Sequence, residues 1–210
     1  MKVITLTQQG GGKNEDSILV SDSVYGVFDG ATSFVSMPME SEYTGGFLAS
    51  SIAAQTFGEN FSSLRDAAIV ANNRLWDAMI QAGVDTSDKL SLWSTSICVV
   101  KLYEKSFEWI QIGDSIPIVI FRDGSYKLLV EKYDHDLRDL VEWKRRVQSG
   151  EEQVFESMKE EFFFDTRRGM NEPHGYGILN GEEAFEEYLL EGEESLKDVA
   201  HILLLSDGMF

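Results

Sequence analysis

Short apolar runs and helix-period stretches alternate along this chain. Two runs of β-favouring residues, Ser17 to Val20 and Val24 to Phe28, are separated by the polar Ser21-Asp22-Ser23, which predicts a β-hairpin. Before the hairpin, the alternation of apolar and polar residues from Lys2 to Thr7 predicts a first strand. The glycines at positions 10–12 then predict a turn whose backbone could come close to a ligand.

In the middle of the chain, the spacing of apolar residues changes first to that of helices and then to that of strands. Apolar residues at helical spacing predict two core-facing helices, one opened by Gly45-Gly46 and running to Phe57, the other from Leu64 to Ile80. Four apolar runs joined by short polar turns follow and predict an antiparallel meander. Its strands are Ser94–Tyr103, Ser106–Ile112, Ile116–Arg122 and Tyr126–Val130.

The last third is acidic. A helix is predicted from Asp134 to Val147, and the stretches EEQVFESMKEEFFF and GEEAFEEYLLEGEES predict amphipathic helices whose glutamates fill the outer face. A final apolar strand is predicted from His201 to Leu205. This order of elements predicts an α+β fold with antiparallel sheets and helices packed outside them.

Composition narrows the class of protein. The 210 residues contain three prolines and are 43% hydrophobic, which is typical of one domain with a full-sized core. No apolar run reaches the roughly 18 residues that span a bilayer, so we expect a soluble protein. The single cysteine, Cys98, cannot form an internal disulfide, and this favours the reducing cytoplasm.

The formal net charge is −18. Nucleic acids and anionic membranes are bound through basic surfaces that displace counterions. We therefore expect neither as a partner.

Candidate chemistry lies at one end of the predicted hairpin. Glu15 and Asp16 precede its first strand, while Asp29-Gly30 ends its second, so an antiparallel pairing brings them within a few ångströms. Carboxylates held that close repel one another and need a cation, a proton or solvent between them. Hard oxygen donors of this kind suit Mg²⁺ or Mn²⁺. Taken singly, however, Asp-Gly is a common turn and Glu-Asp a common solvated pair.

Two further acids follow apolar strands in the same way. Asp114 comes after the strand in IQIGDS, and Asp207 after the strand in HILLLSDG. Each could be an ordinary turn residue, but the repetition favours a shared site. Asp123 in RDG joins two strands as a tight hairpin, and we interpret it as structural.

These motifs, NED, V-x-D-G, S-T-S, G-D-S and S-D-G in this order, resemble those of the metal-dependent serine/threonine phosphatases of type 2C in their bacterial form. The likeness extends over residues 2–208. It implies a four-layer α-β-β-α sandwich with two central antiparallel sheets, in a single domain over 1–210 with a variable flap at about 133–200. It also implies a binuclear Mn²⁺ or Mg²⁺ site and phosphorylated protein substrates.

The resemblance assigns roles residue by residue. Glu15, Asp29 and the Gly30 carbonyl match metal ligands, and Asp207 matches another. Asp16 matches an acid beside the metals, and Asp114 one that helps to bind a third ion. Two ions about 4 Å apart can activate a shared water and neutralise the phosphate, so no protein nucleophile is needed.

Two departures from the pattern affect these expectations. Gly11 stands where the type 2C phosphatases usually carry a phosphate-gripping arginine, which leaves Lys13 as the nearest candidate for substrate binding. The sequence also ends before their final G-x-x-D-N motif, and this predicts a shortened form with an incomplete metal site. Alongside an enzyme of this type, a catalytically weak phosphatase-like protein that acts as a regulatory or binding module therefore remains open.

Overall fold

The computed structural model describes residues 1–9, 13–32, 34–35, 43–130 and 137–207. Within these residues the chain forms eight β-strands and five α-helices. The strands are β1 (Ser17–Val20), β2 (Val24–Gly30), β3 (Thr95–Leu102), β4 (Ser106–Ile112), β5 (Ile116–Phe121), β6 (Tyr126–Leu128), β7 (Leu190–Ser195) and β8 (Val199–Leu205). The helices are α1 (Gly45–Phe57), α2 (Leu64–Gln81), α3 (Leu137–Gln148), α4 (Val154–Met158) and α5 (Phe164–Arg168).

The strands form two antiparallel sheets. The larger sheet has the order β1-β2-β3-β4-β7, and the smaller has the order β6-β5-β8. The predicted hairpin is confirmed, with Ser17 opposite Phe28. Residues alternate along β2 between buried and half-buried, because one face of the strand lies under the helices.

Helices α1 and α2 cover one face of the larger sheet. Their first turns are capped by Thr44 and Ser63, whose hydroxyl oxygens accept hydrogen bonds from backbone N–H groups three residues later. Small buried residues such as Ala49 and Ala53 let α1 approach the strands closely, and Phe57 packs on Phe28 with ring centroids 5.6 Å apart. Both predicted helices are confirmed.

The other face of the larger sheet packs on the smaller one. Val100, Phe107 and Trp109 of the larger sheet join Val119 of β5 in one buried cluster, against which Ile202 of β8 is packed. The predicted meander is wrong at this point, because β4 pairs with β3 and β7 whereas β5 pairs with β6 and β8. Gly113-Asp114-Ser115 therefore connects the two sheets and is not a hairpin turn.

Two other sequence predictions are wrong. Residues 2–7 lie in no strand, although they alternate in polarity, and Ile4 and Leu6 are exposed. The stretch predicted as a second acidic helix instead forms a 3₁₀ turn, Glu183–Tyr188, followed by strand β7. Strand β7 is an edge strand whose glutamates face solvent, and charged residues on an edge discourage pairing with other chains.

The region predicted as a variable flap carries α3, α4 and α5, with a π-helical turn, Lys159–Phe163, between the last two. We call residues 137–168 the flap helices. They are joined by aromatic contacts, for example Trp143 with Phe155 and with Phe163. The start predicted for α3, at residues 134–136, lies outside the described residues.

The predicted α+β class with two central antiparallel sheets is confirmed. Strand β8 was also predicted, although it begins two residues before His201. Among the helices of the described ranges, none combines the length and apolarity that crossing a bilayer requires.

Candidate active site

Four strand ends meet at one edge of the molecule. In the larger sheet, the start of β1 and the end of β2 lie side by side, because Ser17 is opposite Phe28. In the smaller sheet, Ile116 at the start of β5 is opposite Leu205 at the end of β8. The residues just outside these strands therefore converge where the two sheets pack together.

Asp29 is at the centre of this edge. Its carboxyl group is within hydrogen-bonding contact of the Asp207 and Asp16 carboxyl groups, and Asp114 is a further electrostatic neighbour. Burial, followed by the contact with Asp207 and the surrounding negative charge, raises the pKa of Asp29 to about 9. At neutral pH the Asp29 carboxyl group is therefore protonated when no cation lies beside it.

Asp16 shares this environment. Burial raises its pKa, and the negative charges of Asp207 and Glu15 act in the same direction, while the hydrogen bond with Asp29 opposes them. Asp207, by contrast, is exposed at the rim. The structure therefore brings together the acids that the sequence predicted for one site.

Asp114 is positioned near the site because both of its neighbours in the chain contact Ser96. Ser96 of β3 is the pairing partner of Asp29, and its hydroxyl is hydrogen-bonded to that of Ser115 at 2.7 Å. Gly113 packs so closely on Ser96 that a Cβ at that glycine would lie 2.4 Å from the serine Cβ. Asp114 is thus held between two residues that both contact the neighbour of Asp29.

Glu15 lies where β2 meets the first turn of α1. A Cβ on Gly30 would be 2.5 Å from the Glu15 carbonyl oxygen, and one on Gly46 would be 2.8 Å from Glu15 Oε1. Ser50 of α1 donates a hydrogen bond of 2.6 Å to the Glu15 carbonyl. Two glycines are therefore required for this close packing around Glu15.

The two oxygens of the Glu15 carboxylate differ. Oε2 accepts a hydrogen bond of 2.6 Å from the Thr32 hydroxyl. Oε1 is buried and has no hydrogen-bond partner among the residues that the structure describes. A buried carboxylate oxygen without a partner is costly, and a cation beside it would remove that cost.

These donors fit a hard divalent ion in their chemistry. They are carboxylate oxygens, one of which is buried without a hydrogen-bond partner among the described residues, and burial together with the neighbouring carboxylates raises the pKa of Asp29 to about 9. In the part of the chain that the structure describes, no three acidic, His or Cys side chains are already arranged to hold an ion. The Asp29 carboxyl group contacts those of Asp16 and Asp207 directly, so an ion between them would require these carboxyl groups to separate.

The predictions about substrate binding are not tested by the structure. Lys13 is exposed and lies two residues before Glu15, and its role stays a prediction. Gly11 lies outside the described residues. Sequence reasoning missed Thr32 and Gly46, which lie against Glu15, and Arg167, which donates to the carbonyl of Ala31 directly after Gly30. No local pattern identifies them, because each contact joins distant parts of the chain.

Comparison with known proteins gives a consistent answer for the fold. Neither a protein-family profile nor a curated protein sequence matches the chain. Among solved structures, the chain is similar to the serine/threonine phosphatase Stp1 from Staphylococcus aureus, with a TM-score of 0.57 and 17% identity over 98% of this chain and 74% of that one. It is also similar to PstP/Ppp from Mycobacterium tuberculosis, with a TM-score of 0.57 and 17% identity over 95% and 74% of the two chains.

A third structure carries metal. The catalytic domain of PstP in complex with two manganese ions matches with a TM-score of 0.55 and 15% identity, over 89% of this chain and 68% of that one. The fold of this protein is therefore that of the bacterial serine/threonine phosphatases of type 2C. The expected resemblance is confirmed at the level of the fold.

Proposed function

We propose that this protein is a metal-dependent phosphatase that hydrolyses phosphoserine and phosphothreonine monoesters. The observation that carries the proposal is the contact of Asp29 with Asp16 and Asp207 at the edge where the two sheets meet. A phosphatase fold supports it, since the solved relatives are named serine/threonine phosphatases. Phosphorylated proteins are accordingly the proposed substrates.

The residues fall into two groups. Glu15, Asp29, the Gly30 carbonyl and Asp207 would hold two ions, Mn²⁺ or Mg²⁺. Asp16 and Asp114 lie around this set and would help to bind a further ion or to orient water. Two manganese ions in the PstP catalytic domain support this choice of cofactor.

Bound divalent ions supply a water of lowered pKa and neutralise charge on the phosphoryl group. The residues of the chain itself hold the proposed ligands in place. Burial of Asp29 keeps the surrounding dielectric low, which strengthens its interaction with any cation. Ser50 and Thr32 fix the backbone and the carboxylate of Glu15, and Lys13 is the proposed point charge for the phosphate.

The experiment measures phosphate release from p-nitrophenyl phosphate and from a phosphothreonine peptide, with and without Mn²⁺. Three proteins are compared: the wild type, Asp29→Asn, and Asp123→Asn as a control. Asp123 accepts hydrogen bonds within its own turn, from Ser125. We expect Mn²⁺-dependent turnover in the wild type and the control, and a loss of at least about 100-fold in Asp29→Asn.

Two results would contradict the proposal. Equal turnover by both variants would separate Asp29 from the chemistry. Tight Mn²⁺ binding by calorimetry without turnover on either substrate would favour the alternative of a regulatory or binding module.

A further inference from the structure

One buried cation of the flap helices contacts the active-site edge. Arg167 of α5 is only 5% exposed, and its guanidinium lies 5.7 Å from the centre of the Phe34 ring. Its Nη2 donates to the carbonyl oxygens of Ala31, at 3.4 Å, and of Thr32, at 3.2 Å. Those two residues follow Asp29-Gly30 directly.

Arg167 also contacts the buried Tyr176. Burial raises the pKa of the Tyr176 hydroxyl, whereas the charge and hydrogen bond of Arg167 act to lower it. The Nε of Arg167 is buried and, within the described part of the chain, has no hydrogen-bond partner. Burying a guanidinium with one donor unsatisfied is costly, so the contacts that it does make must offset a substantial penalty.

Helix α3 holds α5 in place. The Thr166 hydroxyl donates a hydrogen bond of 2.6 Å to Oδ2 of Asp139 in α3, whose side chain is 4% exposed. Arg138 pairs with the same carboxylate and with Asp165. Arg167 is therefore presented to the active-site edge by an anchored helix.

The contacts continue from Thr32 to the site. While the Thr32 carbonyl accepts from Arg167, its hydroxyl donates to Glu15 Oε2. Because Oε2 is fixed in this way, Oε1, which is buried without a partner among the described residues, is available to bind an ion. An unbroken series of contacts thus runs from the flap helices to one proposed metal ligand.

We propose that Arg167 is a positioning residue for metal binding, which holds Ala31-Thr32 so that the Thr32 hydroxyl orients Glu15. The inference rests on the proposed function, because it concerns the same site. It makes Mn²⁺ affinity dependent on the docking of the flap helices. By linkage, metal binding then stabilises that docking to the same extent.

The role requires a guanidinium. Arg167 uses several donors in a fixed plane to reach two carbonyls and a hydroxyl, whereas a lysine offers one compact ammonium. Arg167→Lys should therefore restore only part of the function. Arg168, the next residue, is exposed and has the same charge, which makes it a matched control on the same helix.

The experiment measures Mn²⁺ affinity of the full chain by calorimetry, together with kcat and KM for p-nitrophenyl phosphate at several Mn²⁺ concentrations. For Arg167→Met we expect about tenfold weaker Mn²⁺ binding. We expect kcat to recover at saturating Mn²⁺ and the KM for the phosphate ester to stay unchanged. Arg168→Met should behave as the wild type, and Arg167→Lys should be intermediate.

Thr32 provides a second test that keeps Arg167 in place. Thr32→Val should weaken Mn²⁺ binding, and Thr32→Ser should not, because it keeps the hydroxyl. If Arg167→Met folds, combining it with Thr32→Val should give less than the product of the two effects, since both act through Glu15. Equal Mn²⁺ affinity in Thr32→Val and the wild type would overturn the inference, whether or not Arg167→Met folds.

The outcomes separate the two proposals. A raised KM with unchanged Mn²⁺ affinity in Arg167→Met would overturn the positioning role and place Arg167 on the substrate. Lowered thermal stability with unchanged Mn²⁺ affinity would show that its role is structural only. A wild-type chain that binds no Mn²⁺ would overturn the proposed function itself.

Discussion

Asp29 and Asp207 come from different sheets, yet their carboxyl groups are in contact. Burial, followed by this contact and the surrounding negative charge, raises the pKa of Asp29 to about 9, so in the metal-free chain the contact is favourable while Asp29 is protonated. In the absence of an ion, the edge where the two sheets meet therefore lowers the folding stability.

The first prediction is that Asp29→Asn stabilises the metal-free protein. The folded-state pKa is raised, so the folded chain binds more protons than the unfolded chain above pH 3.8, and wild-type stability falls as the pH rises towards 9. The amide removes that cost. In EDTA, the melting temperature of the variant should exceed that of the wild type by several degrees at pH 8, at roughly 2–4 °C per kcal/mol.

The advantage should be smaller at pH 5, where Asp29 is protonated in the folded wild type. Asp123→Asn is the control, because hydrogen bonds from Ser125 lower the pKa of Asp123 and its substitution removes no repulsion. Adding Mn²⁺ should reverse the order and raise only the melting temperatures of the wild type and the control. A variant less stable than the wild type at pH 8 in EDTA would contradict the prediction.

A second prediction concerns the first turn of α1. Gly46→Ala would place a Cβ 2.6 Å from the Ala31 carbonyl oxygen and 2.8 Å from Glu15 Oε1. We expect at least about tenfold weaker Mn²⁺ binding by calorimetry, because Glu15 must move. Gly58→Ala is the control at the other end of this helix, where the nearest atoms would be 3.3 Å away. Equal Mn²⁺ affinity in both variants would show that Glu15 is not a ligand.

The third prediction tests strand β7. Gly192 faces the Trp109 ring, and a Cβ there would lie 2.9 Å from the indole Nε1. Gly192→Ala should therefore lower the free energy of unfolding by about 1–3 kcal/mol. Glu193→Ala, at an exposed position of the same strand, should change it by less than about 0.5 kcal/mol. Urea denaturation compares the two, and an equal effect would argue against the pairing of β7 with β4.

The fourth prediction concerns Cys98. It is fully buried in β3, and burial raises the pKa of its thiol. A disulfide reagent such as DTNB should therefore label the native protein very slowly and the guanidinium-denatured protein within seconds to minutes. Rapid labelling of the native chain would show that β3 opens readily.

Much of the fold follows from the sequence because local patterns determine it. The β1-β2 hairpin was predicted from two runs of β-favouring residues around a polar turn, and with it the proximity of Asp16 to Asp29. The separation of β4 and β5 into different sheets was not predicted, because periodicity identifies strands but not their pairing partners. Strand β7 was missed since Leu190–Ser195 has acidic residues that also suit the outer face of a helix.

For the candidate site too, the sequence identified some residues and missed others. Acids at strand ends could be found by their position, since an apolar run followed by Asp is visible in the chain. Arg167 and Thr32 could not be found, because they meet only after the flap helices dock on the sheet edge. Tertiary contacts between distant segments leave no periodic trace in a single sequence.

The division of the acids between the two sheets also has a consequence for synthesis. Asp16 and Asp29 lie near the start of the chain, whereas Asp207 follows β8, and β8 must pair with β5 before its end reaches them. A nascent chain that lacks residues 199–207 can form the hairpin but not the cluster. Any affinity for metal that needs both sheets therefore arises late in synthesis, after the rest of the described fold has been made.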